Sequence, residues 1–308
     1  MPTHPSSPDP HPGHPPAAHS VHTHDDIDWS ARVADLRRRD DLERDRYVDV
    51  AARLTRDLPA DAVVVDVGCG AGGMGAALAA ALRERGGGTL VLVDATEALL
   101  EAARVTVAGA GGDPVRVETV HADLADAAWH AHVPAADLVW AAGVVHHLPD
   151  QQTAVDDLAG VLAEGGVLAL AEGGLEPRYL PWDLGTGRPG LEIRVAAARD
   201  HWFGQLRAEM PNAVPMPYGW TTALTRAGLT GADSFASVTE HPPPLRGVAL
   251  DHVLDHFAWV EQSLGEHLDE QDRDTLRRLL DPDSAEHLGR RDDVAVFDLR
   301  TIHTARRR

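Results

Sequence analysis

A glycine-rich turn is the feature of this 308-residue chain best suited to chemistry. Residues 63–73 read VVVDVGCGAGG, a buried strand that runs into a turn, and residues 74–83 have the pattern of a helix. Glycine has no Cβ, and a helix N-terminus has free N–H groups, so such a turn can hold a nucleotide-like ligand against the backbone. Gly68, Gly70 and Gly73 also match the dinucleotide pattern G-x-G-x-x-G.

Asp66 indicates which kind of nucleotide ligand the turn prefers. It lies two residues before Gly68 in a strand that is otherwise all valine. Beside a pyrophosphate its carboxylate would add repulsion, whereas beside a sulfonium ligand that carries an α-ammonium it would be attractive. The residue therefore favours S-adenosylmethionine over NAD.

Further polar or small residues come where predicted strands end. These are Asp94, Asp123, Gly143 and Glu172. In an open parallel sheet, ligands bind outside the carboxyl ends of the strands. Asp94 follows Gly70 by 24 residues, close to the spacing of a ribose-binding carboxylate. Two alternatives stay open: Asp94 could be a helix N-cap, and Asp123 could simply begin a loop.

The elements that must position these residues alternate between strands and helices, which is typical of an α/β fold. Strands are predicted at 62–67, 89–93, 115–121, 137–142 and 167–171, with helices at 97–107 and 151–162.

The domain organisation is predicted from shifts in composition along the chain. The segments are a disordered His- and Pro-rich tail at 1–24, N-terminal helices at 25–60, a ligand-binding core at 61–173, a lid insertion at 174–220, and the rest of the fold at 221–308 with a helical insertion at 245–280.

Composition limits the partners of the protein. A formal net charge of −20 disfavours nucleic acid and anionic lipid, and no stretch reaches the length of a membrane span. A single cysteine, Cys69, suits a reducing cytoplasm. We expect a cytoplasmic protein without a metal that acts on a small molecule, and a homodimer stays an option because the 245–280 stretch would either complete the lid or form a dimer surface.

The order and spacing of these pieces resemble a class I S-adenosylmethionine-dependent methyltransferase of the small-molecule type. The resemblance covers residues 61–172, with weaker agreement at 219–239 and 292–303. Beyond the glycine turn, it depends on HADL at 121–124, WAAGVVHHLPD at 140–150 and LAEGGVL at 162–168. It implies a Rossmann-like, seven-stranded, doubly wound sheet with an α-helical, aromatic-rich lid.

The resemblance also implies a cofactor site. The turn would hold the methionine part of the cofactor, Asp94 the ribose hydroxyls, and Asp123 the adenine amino group. The full implied set is Asp66, Gly68, Cys69, Gly70, Gly72, Asp94, Ala95, Asp123, Leu124 and Gly143.

Three side chains could remove a proton from the methyl acceptor. His146 and His147 follow the fourth strand, and Glu172 ends the fifth strand, which neighbours the fourth in this fold. A carboxylate beside an imidazole would orient it and raise its basicity, as a general base requires. The alternative is that the histidines merely close the pocket, and the sequence does not decide between the two rings.

The acceptor pocket is expected in the lid insertion. The insertion holds the aromatic residues Tyr179, Trp182, Trp202, Phe203, Tyr218 and Trp220, together with Arg178, Arg188, Arg194 and Arg199. The rings would contact a partly apolar substrate or form the core of the lid itself. The arginines would hold a carboxylate or be solvated. A catalytically inactive cofactor-fold protein and an NAD-dependent oxidoreductase are the alternative functions.

Overall fold

A computed structural model describes residues 32–110, 113–126 and 128–308 of the chain. The predicted tail at 1–24 and the start of the predicted N-terminal helical segment lie outside these residues. Where that segment is described, it forms two consecutive helices.

One mixed sheet of seven strands organises the described part of the chain, in the order β3-β2-β1-β4-β5-β7-β6. Strands β1 to β5 are parallel, and β7 runs antiparallel between β5 and β6. The predicted Rossmann-like architecture is confirmed. The strands are β1 (Val63–Val67), β2 (Gly88–Asp94), β3 (Val115–His121), β4 (Ala136–Ala142), β5 (Leu162–Arg178), β6 (Thr230–His241) and β7 (Val296–Arg306).

Helices cover both faces of this sheet. They are α1 (Val33–Leu42), α2 (Arg44–Thr55), α3 (Gly73–Glu84), α4 (Glu97–Ala110), α5 (Gln151–Val161), α6 (Leu191–Glu209), α7 (Trp220–Arg226), α8 (Val248–Leu264) and α9 (Glu270–Leu280). No helix in the described ranges combines the length and the apolar character needed to cross a membrane.

The valines of β1 explain its central position. Val64 packs into a core with α2 and α3, whereas Val65 and Val67 point to the opposite face, where α5 and α7 pack. Strands buried on both faces are continuous apolar runs, and β1 departs from that rule only at Asp66. The strand therefore carries the glycine turn at the centre of the carboxyl edge.

The lid is more regular than its sequence predicts. Strand β5 continues to Arg178 instead of ending near Glu172, because its last residues pair with β7. Helix α6 spans 19 residues of the lid insertion and was not predicted as a helix. Its apolar residues are spread around the helix, so they leave no clear period in the sequence.

The two predicted insertions share one hydrophobic core. Leu191 and Val195 of α6 pack with Val253 and Phe257 of α8, and with Leu276 of α9. The stretch at 245–280 therefore packs on the insertion at 174–220, and its role as part of a lid stays a prediction.

Candidate active site

Two glycines of the turn are required by packing inside the protein. Gly68 and Gly72 have φ angles of 67° and 92°, which residues with side chains rarely adopt. A Cβ on Gly68 would lie 2.3 Å from Val144 Cγ2, and one on Gly72 would lie 2.6 Å from Ala103 Cα. The Gly68 N–H also donates to the Val93 carbonyl at 2.8 Å, which ties the turn to β2. These two positions shape the turn.

Two other glycines of the predicted set face open space. Gly70 has a φ of 55°, and a Cβ there would meet no atom within 4 Å. Gly143, with a φ of 63°, has His146 Cε1 at 3.9 Å as its nearest neighbour. Because they follow the adjacent strands β1 and β4, they leave bare backbone beside an opening at the carboxyl edge. That opening is what the predicted cofactor requires.

Beneath the turn, two ionisable side chains are kept neutral by burial. Asp66 exposes 2% of its surface, and its Oδ2 is without a hydrogen-bond partner in the described structure. Burial, and after it the nearby Asp40 and Asp94, raises the pKa of Asp66 to about 8. Burial also raises the pKa of the Cys69 thiol well above its usual range. A cationic ligand near Asp66 would favour the loss of its proton.

Asp40 of α1 is a site residue that sequence reasoning missed. Its Oδ2 accepts the Gly73 N–H at 3.0 Å, and a Cβ on Gly73 would lie 2.4 Å from the Asp40 Cγ. Burial raises the pKa of Asp40 to about 6. The charged run around it, RRRDDLERDR at 37–46, gives no signal that one carboxylate reaches the turn. Gly73 therefore admits α1 to the edge of the predicted cofactor site.

Asp94 lies directly beside the open glycine. Its Oδ2 accepts the Gly70 N–H at 3.1 Å and its Oδ1 accepts the Thr96 N–H at 2.9 Å. The Thr96 carbonyl accepts from Leu99 and Leu100, so Thr96 and not Asp94 is the N-cap residue of α4. A carboxylate offers about four lone-pair sites, which leaves acceptor capacity for hydroxyl groups.

The remaining predicted cofactor-binding residues, among them Asp123 for adenine, lie at neighbouring strand ends. Asp123 is exposed and accepts the Ala125 N–H at 2.8 Å, while Leu124 is half-buried. Ala95 is exposed, and its carbonyl accepts from His121 Nε2 at 2.8 Å. The contact of Asp123 is one that an Asp makes at the start of any loop, so its role in adenine binding stays a prediction.

Glu172, within β5 at the level where β4 ends, forms a hydrogen-bonded pair with His146 in the turn after β4. Glu172 Oε2 lies 2.8 Å from His146 Nδ1, and Oε1 accepts the N–H groups of Val144 and Val145 at 3.0 and 2.8 Å. The Glu172 side chain is 1% exposed, whereas that of His146 is 32% exposed. A carboxylate only accepts, so Nδ1 donates and the neutral ring keeps Nε2 as its acceptor.

The structure distinguishes the two predicted histidines. His147 lies against His146 with ring centroids 4.1 Å apart, and it is His146 that contacts Glu172. On the lid side, the Phe203 ring of α6 lies 6.1 Å from the His146 ring. Phe203 is thus the lid aromatic that the fold brings to the pair.

The remaining lid aromatics mostly support the fold. Tyr179 and Trp202 pack in the helical core of the lid, and Tyr218 and Trp220 pack against the sheet core that contains α5. Trp182 is 68% exposed. Of the two predicted roles, packing therefore accounts for four of these five rings.

The lid arginines are neither unpaired anion receptors nor simply solvated, because each contacts a carboxylate of this chain. The pairs are Arg178 with Glu192, Arg188 with Asp269 and Asp272, Arg194 with Asp272, and Arg199 with Glu176.

Comparisons with known proteins agree with the turn and the sheet. Residues 65–168 match the family described as "Methyltransferase domain". A trans-aconitate 2-methyltransferase of Methylobacterium radiotolerans is 32% identical over 47% of this chain and 56% of its own length. Methyltransferase GfsG of Streptomyces halstedii is 36% identical over 38% of this chain and 39% of its own length.

A solved structure and the extent of the matches complete the comparison. The YcgJ protein of Bacillus subtilis is 18% identical, with a TM-score of 0.46 over 85% of this chain and 98% of its own. The chain spans about half the length of the first curated relatives that it matches. The matched family region begins within β1, includes β2 to β4 and the start of β5, and ends before the lid insertion.

Proposed function

We propose that the chain is a class I S-adenosylmethionine-dependent methyltransferase and that it methylates a hydroxyl group of a small organic molecule, with His146 as general base. The observation that supports the proposal is the 2.8 Å contact between His146 Nδ1 and Glu172 Oε2 at the carboxyl edge. Methyl transfer to a carboxylate or a neutral amine needs no such base, whereas transfer to a hydroxyl does.

The chain's own residues provide a suitable cofactor site. Gly70 and Gly143 offer bare backbone beside open space, Asp94 offers acceptors for vicinal hydroxyls, and buried Asp66 offers a group that becomes anionic near a cation. When bound there, S-adenosylmethionine supplies an electrophilic methyl group. The protein must then orient the acceptor, exclude water and remove one proton.

His146 can perform the proton transfer because of its second nitrogen. Glu172 holds Nδ1–H, which leaves the lone pair of Nε2 to accept the proton of the acceptor hydroxyl. Glu172 is itself held by two backbone N–H groups, so the ring has a defined orientation. The imidazolium that forms would be stabilised by the adjacent carboxylate.

Turnover of three variants tests this proposal, with formation of S-adenosylhomocysteine followed across a panel of small hydroxyl compounds. We expect His146→Ala to lose roughly 10²–10⁴-fold in turnover. His146→Ala should lose the pH dependence that a general base gives to the rate, whereas Glu172→Gln, which keeps the imidazole, should show a milder loss of turnover. Calorimetry should give a nearly unchanged Kd for the cofactor.

His147→Ala is the matched control, because it removes the neighbouring ring and leaves the His146–Glu172 pair in place. It should stay within a few-fold of wild type. If all three variants turn over like wild type, the base assignment is wrong; if no acceptor is methylated but the cofactor binds, the inactive alternative gains support.

A further inference from the structure

A cavity of about 110 Å³ lies in the lid, between the end of β5, helix α6 and helix α8. Tyr179, Val195 and Phe257 form apolar parts of its wall, and His256 adds an imidazole. For scale, an engineered apolar cavity of roughly 150 Å³ binds benzene. The size is therefore suited to a short alkyl chain or a single small ring.

Helix α6 connects this cavity to the His146–Glu172 pair. Val195 and Arg199 line the cavity, and Phe203, which lies near the His146 ring, follows Arg199 by four residues on the same face. At 1.5 Å per residue, the cavity walls on α6 lie about 6–12 Å along the helix from Phe203. An acceptor molecule of that length would span both places.

Charges in the cavity wall are balanced. Arg199 contacts Glu176, and Arg178 lies 3.9 Å from Glu192, so two cations face two carboxylates. Glu192 also makes a second contact, because its Oε1 accepts the Tyr179 N–H at 2.7 Å. A ligand carboxylate placed here would meet no surplus cation, and a buried charge without a partner is costly.

His256 gives the wall one neutral polar group. Burial, and after it His252 and Arg199, lowers the pKa of His256 to about 3, so the ring is uncharged at neutral pH. Its ring lies 4.7 Å from that of Tyr179, and it makes no hydrogen bond to any other described residue. A neutral imidazole has one donor and one acceptor, which suits a hydroxyl or carbonyl group on an otherwise apolar ligand.

We infer that this cavity, the α6–α8 cavity, binds the uncharged and largely apolar end of the acceptor whose hydroxyl faces His146. That the hydroxyl of this acceptor faces His146 rests on the proposed function. The inference predicts a neutral acceptor. Several relatives are named for trans-aconitate, a tricarboxylate, and such an anion would need unpaired cations that the cavity wall does not supply.

Binding of matched probes to the full chain with S-adenosylhomocysteine present tests the inference without any turnover. Phenol and benzoate share a ring and differ in charge, and trans-aconitate represents the polycarboxylates. Titrations followed by protein NMR shifts should give phenol at least about fivefold tighter binding than either anion. That ratio is about 1 kcal/mol by the usual affinity arithmetic.

Two lid variants localise the binding. Ala196→Phe fills the cavity that Ala196 lines, and Ala197→Phe adds the same ring at an exposed neighbour that does not line it. Ala196→Phe should weaken phenol binding at least tenfold, and Ala197→Phe should leave it unchanged. Glu176→Gln leaves Arg199 without its carboxylate, so it should raise benzoate affinity several-fold. This variant tests the inference even if Ala196→Phe folds poorly.

Equal affinity for phenol and the anions in wild type, or unchanged phenol binding in a folded Ala196→Phe, would overturn the inference. Failure of the proposed function has a different signature. In that case the His146 and Glu172 variants turn over like wild type, while His146→Ala keeps its preference for phenol.

Discussion

The two ends of the candidate site treat charge in opposite ways. At the cofactor end, Asp66 and Asp40 are carboxyls whose burial raises the pKa, and Asp66 Oδ2 has no partner among the residues described. At the acceptor end, the two arginines of the cavity wall each face a carboxylate. Under the proposed function, this difference suits the first end to a cation and the second to an uncharged group.

The ends also differ in how much of the chain they need. The glycine turn and Asp94 come from residues within 27 positions of one another, and their contacts are mostly to backbone. The acceptor end combines β5, α6 and α8, which are separated along the chain by α7, β6 and long loops. Short segments therefore make the cofactor end, and long-range packing makes the acceptor end.

The largest expected effect is on unfolding free energy, and it distinguishes a glycine required by packing, Gly72, from one that faces open space, Gly70. Gly72→Ala should cost about 3 kcal/mol in unfolding free energy, because a left-handed φ and a close approach to Ala103 add together. Gly70→Ala meets no atom, so it should cost only about 1 kcal/mol of strain.

Urea denaturation measures both variants, and calorimetry measures their cofactor binding. We expect Gly70→Ala to lose affinity while it stays folded, because its Cβ projects into the opening. Equal losses of unfolding free energy for the two variants would mean that the space around Gly70 is as restricted as the space around Gly72.

Asp94→Ala probes the ribose contact at the cofactor end. It should weaken S-adenosylmethionine binding by roughly 1.5–3 kcal/mol, as expected for hydrogen bonds to a charged group. The matched control is Asp126→Ala, an exposed loop aspartate outside the predicted site, which should leave the Kd unchanged. An unchanged Kd in a folded Asp94→Ala protein would remove Asp94 from the site.

Asp66 should make stability depend on pH. Its folded-state pKa of about 8 lies above the ordinary 3.8, so between these values the folded chain binds a proton that the unfolded chain has lost. Stability from this group therefore falls as pH rises from about 4 to about 8. Asp66→Asn should flatten that fall in thermal unfolding, whereas Asp123→Asn should not.

Cofactor binding gives a second measurement on the same residue. A cation beside Asp66 lowers its pKa, so binding near neutral pH should release up to about one proton. Calorimetry in buffers of different ionisation enthalpy measures that release. Proton release of the same size in Asp66→Asn would assign it to another group.

The smallest effect is expected at the acceptor end. Arg178 and Glu192 lie 3.9 Å apart with Arg178 more than half exposed, so Arg178→Gln should change unfolding free energy by less than about 1 kcal/mol. It should instead alter the charge balance and weaken benzoate binding further. A large loss of stability would show that this pair supports the lid.

Much of the cofactor end could be predicted from the sequence because its signals are local. The valine-rich run of β1, the glycines after it and Asp94 at the end of β2 each follow from backbone geometry over a few residues. Asp40 could not be predicted, because its contact with the Gly73 N–H joins residues 33 positions apart across two helices. Helix α6 was missed because its apolar residues lack a clear period.

The sequence by itself determined the succession of strands and helices along the chain, the glycine turn and the residue types at the strand ends. Burial on both faces and positive φ angles restrict which residues can stand at these positions. Only the tertiary structure decided which histidine contacts Glu172, that Glu192 and Glu176 pair with the lid arginines, and that both insertions share one hydrophobic core. These are contacts between distant segments, and their geometry depends on how β5, α6 and α8 pack, which no local pattern encodes.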